Sequence, residues 1–370
     1  MKDILKNFFK QKGGAISYAD YIRFVLYHPE YGYYMNRKKK IGKKGDFITT
    51  SQVSSFFGEM FYRIFKRLVQ QNIIQPTFVE LGAGEGNFFI SFLKAWQKDD
   101  KKLPLKVFLV EKSSFHRENI KTKIRESFVY LYDSLENIEM DMNGFIFSNE
   151  LFDAFPVHVI EKQNGIVYEI FISIDEQTGI LFEVKKPLKN KQILSLLGNK
   201  WIFIEENQRI EISLDMLEFL THIDKRMKQS IVTTIDYGYF SDEYKNRNVQ
   251  KGTLRGYMNH QLIYQVLDYP FEIDITSHVH FGLYQKKCLS LGWKEILSKR
   301  QDQFLLDAGI LEYLKEHYDP NPFSEEAKHN RAIRSLIIPG SISESFHVIM
   351  HSKGLEINEQ HLLNMKTGNS

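Results

Sequence analysis

The chain has 370 residues, enough for one large domain with additions or for two domains, and 43% are hydrophobic against 26% charged and 14% aromatic, which excludes a disordered or fibrous chain. Its 49 basic and 46 acidic residues leave a net charge of +3, so no overall field selects nucleic acid or a membrane surface as partner. The single cysteine, Cys288, excludes an internal disulfide and supplies no metal-ligand set, which predicts a reducing compartment, the cytoplasm.

The opening "MKDILKNFFKQKGGAISYAD" mixes charged and apolar residues without the long apolar stretch of a signal peptide, and no run of ~18 apolar residues follows. Neither a signal peptide nor a membrane span is expected. A helical opening leads into the basic, glycine-punctuated loop "NRKKKIGKKGDFITTS", then into an apolar-periodic helix from Phe56 to Leu68. The run Lys38 to Lys44 carries no interleaved aromatics of an RNA-binding kind and reads as solvent-facing.

After Pro76, "TFVEL", "KVFLVE", "FVYLY" and "GFIFS" are strand-like runs alternating with helical stretches, the spacing of βαβ units and a parallel sheet. From Val157 to about Ile204, "VHVIEKQNGIVYEIFISI", "GILFEV" and "WIFIEE" alternate polar and apolar residues, which predicts antiparallel hairpins inserted into that order. The helix "SLDMLEFLTHIDKRM" and the strand "SIVTTIDYG" resume the main sheet, and "SESFHVIMHS" is expected to supply its last, edge strand.

"FVELGAGEGNFF" places Gly82, Gly84 and Gly86 between the strand "TFVEL" and a helix whose Phe88, Phe92 and Trp96 recur at helical spacing. Glycines in a strand-to-helix turn let a ligand approach the main chain beside the unpaired N–H groups of a helix start. The dinucleotide fingerprint requires glycine at the sixth position, where Asn87 stands, so that ligand class is excluded. Glu80, two residues before the turn, suits the ammonium of an amino-acid-like ligand, a group S-adenosylmethionine carries. A plain tight turn and a lysine-paired Glu80 are the structural alternatives.

Glu111 ends the next strand, where a carboxylate can accept both ribose hydroxyls of an adenosyl group or merely cap the strand. After the fourth strand, "SNELFDAFP" packs Asn149, Glu150 and Asp153 ahead of Pro156. Asn149 and Glu150 are candidates for the methionine end of the cofactor or for the acceptor; Asp153 either orients a cationic substrate or caps the following helix.

These stretches lie among "LYHPEYGYYM", "GDFITTSQVSSFFGEMF", "VELGAGEGNF", "SNELFDAFPV", "IDYGYFSDEY", "GTLRGYMNHQ", "DITSHVHF" and "QDQFLLDAGI". Together, in this order and across almost the whole chain, they resemble the MidA-like family of methyltransferases, whose mitochondrial member is a complex I assembly factor that dimethylates a protein arginine. The resemblance implies an α/β fold: a Rossmann-like, seven-stranded class I methyltransferase sheet with an N-terminal helical extension and an inserted β-rich subdomain. The expected division is 1–75 for the extension with its "GDF" loop, 76–156 for the cofactor-binding half, 157–210 for the inserted hairpins and 211–370 for the remainder. It implies S-adenosyl-L-methionine as cofactor, no metal, and an arginine-bearing protein as partner, with homodimerisation left open. Gly82, Gly84, Gly86 and Glu111 match the family's cofactor positions, and Gly45, Asp46 and Phe47 match a segment expected to fold over the cofactor. Ala83 stands where the family usually has proline, Glu85 where arginine is frequent, and His280 where aspartate is usual.

Methyl transfer is an in-line displacement, so positioning outweighs base strength. A guanidinium acceptor, with a pKa above ~12, calls for carboxylates that grip and orient it. The candidates are Glu150 first, then Asp236 with Tyr237 in "IDYG", Asp153 and Asp46, with His260 and Asp274 as further contacts. His260 reads equally as a structural hydrogen-bonder. A cofactor-binding assembly factor without turnover, and a methyltransferase for a small molecule or RNA, are the rival readings.

Overall fold

The computed structural model describes residues 2–36, 55–99, 103–245, 250–258, 261–316, 321, 324–338 and 345–363. Gly45, Asp46, Phe47, His260 and the run Lys38 to Lys44 lie outside the described residues. In chain order the elements are α1 (Lys2–Gln11), β1 (Ala15–Ser17), α2 (Tyr18–Tyr27), α3 (Ser55–Gln70), β2 (Thr77–Leu81), α4 (Asn87–Lys98), β3 (Lys106–Val110), α5 (Ser114–Lys123), β4 (Val129–Tyr132) and β5 (Gly144–Asn149). They continue with β6 (His158–Gln163), β7 (Ile166–Ile174), β8 (Leu181–Pro187), β9 (Arg209–Ile212), the helix Leu214–Lys225, β10 (Ser230–Tyr239), β11 (Arg255–Met258), β12 (Gln261–Ile263), β13 (Asp274–Thr276), β14 (Val279–His280), the helix Phe281–Ser290, β15 (Lys294–Arg300), the helix Gln301–Asp307 and β16 (Phe346–Lys353).

Contacts divide the chain into two compact units, each assembled from three separated segments. One comprises Ile48–Leu151, His222–Tyr237 and Cys288–Ser370. Its sheet runs β15-β16-β10-β5-β2-β3-β4. The pairs from β10 through β5, β2 and β3 to β4 are parallel, while β16 is antiparallel to both β10 and β15. Seven strands lie on this path, as expected of a Rossmann-like α/β sheet, and β14 adds a short parallel pairing with the end of β10. β2 is buried at every position, as a central parallel strand covered on both faces must be. One face carries a phenylalanine core: Phe88 and Phe92 of α4 and Phe61 of α3 pack on Phe78 and Phe147, with ring centroids 4.0 Å apart for Phe88–Phe147 and 4.4 Å for Phe78–Phe92. Each such aromatic pair adds about 0.5–1.5 kcal/mol to the burial of its area. These contacts fix α4, and with it the turn that precedes the helix.

The other unit comprises Met1–Phe47, Phe152–Thr221 and Gly238–Lys287. It holds the antiparallel order β1-β7-β6-β9 with β8 on β7, and the three strands β12-β11-β13. Within it α1 and α2 pack Phe9, Tyr21 and Val25 against Ile170 and Ile172 of β7 and Ile273 and Ile275 near β13.

Two expectations are corrected. "WIFIEE" is not a strand. Lys200 and Asn207 adopt left-handed backbone at φ 58° and 60°, Lys286 donates to the Lys200 and Trp201 carbonyls, and the Gln208 side chain accepts from Glu205 N–H, so turn chemistry overrides the apolar run; the antiparallel partner is β9 instead. "SESFHVIMHS" does supply a strand, β16, but an interior one; the edge is β15, whose sequence "KEILSKR" and bulge between Glu295 and Leu297 suit a charged, irregular border.

Candidate cofactor and methyl-transfer site

The glycine turn leaves the buried tip of β2. Gly82, Gly84 and Gly86 all lie in the left-handed region, at φ 73°, 53° and 74°, so the turn demands glycine conformationally; a Cβ on Gly82 would also press on Leu151 Cδ1 at 2.8 Å, and the end of that side chain would have to give way. Most of its N–H groups are spent internally: Gly82 and Ala83 donate to Val110 O at 2.9 and 3.1 Å, and Gly86 to Ala83 O at 2.8 Å. Gly86 forms the N-cap of α4 with no side-chain capping bond, which leaves the first-turn N–H groups of that helix for a ligand.

Two carboxylates flank the turn. Glu111 directly follows β3; one oxygen accepts from Gly84 N–H at 2.8 Å and the other from Ser113 N–H at 2.7 Å, with His116 Nδ1 3.7 Å away. Each oxygen keeps a lone pair for a further donor. Glu80 is 4% exposed, and its Oε2 has no hydrogen-bond partner among the described residues. Burial first, and the Glu111 charge second, hold its carboxyl well above the ordinary value. A buried carboxyl in that condition is completed by a cation.

β5 delivers the third element. Asn149 ends the strand, donates from Nδ2 to Glu150 Oε1 at 3.0 Å, and keeps a buried Oδ1 with no hydrogen-bond partner among the described residues. Glu150 takes the left-handed conformation at φ 50°, which a residue with a side chain adopts at a cost of about 1–2 kcal/mol. Its N–H donates to Ile235 O at 2.9 Å, and the next N–H, of Leu151, donates to Asp236 Oδ2 at 3.2 Å. Asp236 is fully buried; its other oxygen accepts from Tyr237 N–H at 2.9 Å. Asp236 therefore braces the turn that presents Glu150, and Tyr237 turns into the phenylalanine core.

Asp153 and Asp274 belong to the other unit. Both are buried; Asp153 O accepts from Ser277 N–H at 2.9 Å, and Asp274 Oδ1 accepts from the Tyr34 hydroxyl at 2.5 Å. Tyr34 stacks on Tyr27 at 5.4 Å, and burial together with Asp274, Tyr27 and Asp153 drives its hydroxyl pKa far up. His280 accepts from Leu283 N–H through Nδ1 at 3.1 Å and so caps the helix Phe281–Ser290, a task aspartate performs equally well. Sequence reasoning missed the brace of Asp236 and the contact of Leu151 with Gly82, which no local pattern announces.

The orphaned acceptors on Glu80 and Asn149, the two-sided carboxylate of Glu111 and the uncapped start of α4 fit a ligand with a cationic end, hydroxyls and an anionic end. The model of an S-adenosyl-L-methionine-dependent methyltransferase family matches residues 56–295. The mitochondrial protein arginine methyltransferase NDUFAF7 of Rattus norvegicus is 27% identical over 368 residues, covering 90% of this chain and 80% of its own. The Mus musculus protein of the same name is 28% identical over 371 residues, with the same coverages. A crystal structure of a Burkholderia thailandensis protein bound to S-adenosyl-homocysteine is 26% identical and superposes with a TM-score of 0.84 over 96% of this chain and 92% of that one.

Proposed function

The chain belongs to this family of S-adenosyl-L-methionine-dependent methyltransferases, and from that premise we propose that its acceptor is an arginine side chain of a partner protein. S-adenosyl-L-methionine, its cofactor, supplies an electrophilic methyl carbon on a sulfonium. On the protein's side, Glu80 is suited to the ammonium, Glu111 to the ribose hydroxyls and Asn149 Oδ1 to a remaining donor.

The observation that carries the arginine reading is the strained Glu150, held by both of its flanking peptide N–H groups beside the Asn149 amide. A carboxylate fixed in this way offers a guanidinium a two-point grip that selects one nitrogen for attack. Transfer converts one N–H to N–CH3 and releases a proton, and a carboxylate already at hydrogen-bond range is its natural acceptor. The names of the mammalian relatives support the same acceptor class.

Tritiated S-adenosyl-L-methionine and a lysate of the source cells test the proposal. Label is expected in protein, and after acid hydrolysis in methylated arginine. Label confined to nuclease-sensitive material or to small molecules overturns it.

A further inference from the structure

His347 on β16 stands directly across from Asp236 on β10, and Arg300 on β15 stands directly across from His347. Opposed residues of antiparallel strands share a face, with Cβ atoms about 5 Å apart. Here it is the face away from the phenylalanine core, because the neighbours Ile235, Tyr237, Phe346 and Val348 all enter that core. Arginine, histidine and aspartate thus form a row from the exposed edge of the sheet to its interior: Arg300 is exposed, His347 is 8% exposed and Asp236 is 0%. At its inner end, Asp236 holds the Leu151 N–H while Ile235 O holds the Glu150 N–H, so both peptide groups flanking the Glu150 Cα are anchored to β10.

Asp236 is fully buried and accepts an N–H at each oxygen, an arrangement that a polar or cationic neighbour favours, and the residue opposite it on the next strand is a histidine. We infer that His347 is a positioning residue for Glu150, acting through Asp236: the imidazole supports the buried carboxylate, the carboxylate holds the Leu151 N–H, and that bond keeps Glu150 in its left-handed turn. The inference rests on the reading of Glu150 as the carboxylate that grips the acceptor.

The test compares wild type with His347→Gln, Glu150→Gln and the double variant. It measures the initial rate of tritium transfer into lysate protein at saturating S-adenosyl-L-methionine, and cofactor affinity by calorimetry. His347→Gln is expected to lower the rate on the order of tenfold, to leave cofactor affinity within about twofold, and to cost nothing further in the Glu150→Gln background. His347→Gln and His347→Asn, which retain a neutral donor, are expected to keep more rate than His347→Phe, and melting curves identify any variant that is merely unfolded. An undiminished loss on top of Glu150→Gln, or loss of cofactor affinity, overturns the inference. Full rate in His347→Gln with an impaired Glu150→Gln sinks the inference alone, whereas full rate in Glu150→Gln sinks the reading of Glu150 and the inference with it.

Discussion

Gly84 and Glu111 are joined by a 2.8 Å hydrogen bond from the glycine N–H to the carboxylate, so the acid suited to a ribose also ties the tip of one strand to the turn that follows its neighbour. Glu111→Ala removes this bond and the one from Ser113. With charge-assisted bonds worth about 1.5–3 kcal/mol each, the variant is expected to melt lower and to bind S-adenosyl-L-methionine at least tenfold more weakly. Calorimetric titration beside a thermal melt reads both; unchanged affinity would detach Glu111 from the cofactor.

The turn itself gives a second expectation. Ala at position 84 must adopt φ near 53°, at a cost of about 1–2 kcal/mol. Gly84→Ala should therefore lower the melting temperature slightly and cofactor affinity markedly. Gly84→Val should abolish titration altogether; normal titration by the valine variant would place the ligand elsewhere.

Glu80 links pH to stability and to the cofactor contact proposed for it. Its pKa is raised in the folded state, chiefly by burial, so the fold retains a proton that the unfolded chain has already released. Its stabilising contribution is present at pH values below the ordinary carboxyl range and is lost as pH rises through the folded value. Glu80→Gln is expected to raise the melting temperature of the ligand-free protein at neutral pH while weakening cofactor binding. Titrations in buffers of different ionisation enthalpy should reveal a proton released when the cofactor ammonium binds, and their coincidence in all buffers would refute this account.

Glu150 sets backbone strain against the acceptor-site role proposed for it. Glycine accepts φ 50° without strain, so Glu150→Gly is expected to stabilise the fold by about 1 kcal/mol and to abolish methyl transfer with cofactor binding kept. Urea midpoints and single-turnover rates decide; retained transfer would exclude the side chain from the acceptor site.

Three buried histidines set an acid limit. Burial pushes His278 down to about 3, with Arg255 assisting, and His280 and His351 down to about 4. Below ~6.5 the unfolded chain binds protons that these rings refuse, so stability falls as pH drops from ~6.5 toward ~4, at about 1.4 kcal/mol per pH unit for each ring. His280→Asp keeps an acceptor for Leu283 N–H but loses the ring stacked on Tyr244, so it should flatten that slope at a modest cost at pH 7. Urea midpoints at pH 7 and 5 check it, and an unaltered slope would assign the acid sensitivity elsewhere.

The strands before Asn149 were legible because each is a short apolar run bounded by turn residues, and the glycine turn because its chemistry is local. The tips were not. Whether Asp236 meets a substrate or two backbone N–H groups depends on the Glu150 turn, more than eighty positions earlier in the chain. Histidines and a serine bracket the apolar Val348, Ile349 and Met350 in "HVIMHS", as suits a sheet border, yet β10 and β15 enclose it, because pairing with residues far upstream in the chain outweighs local polarity. His347 looked unremarkable for the same reason: its partner is set by register, which a single strand does not encode.

The position of β16 also shapes how the protein must be made. A strand wedged between β10 and β15 arrives after both of them, so until Phe346–Lys353 leaves the ribosome the facing edges of those two strands wait with open backbone groups. Cutting the chain back before Phe346 would remove a strand from the middle of the sheet and favour clumping over a slightly trimmed enzyme.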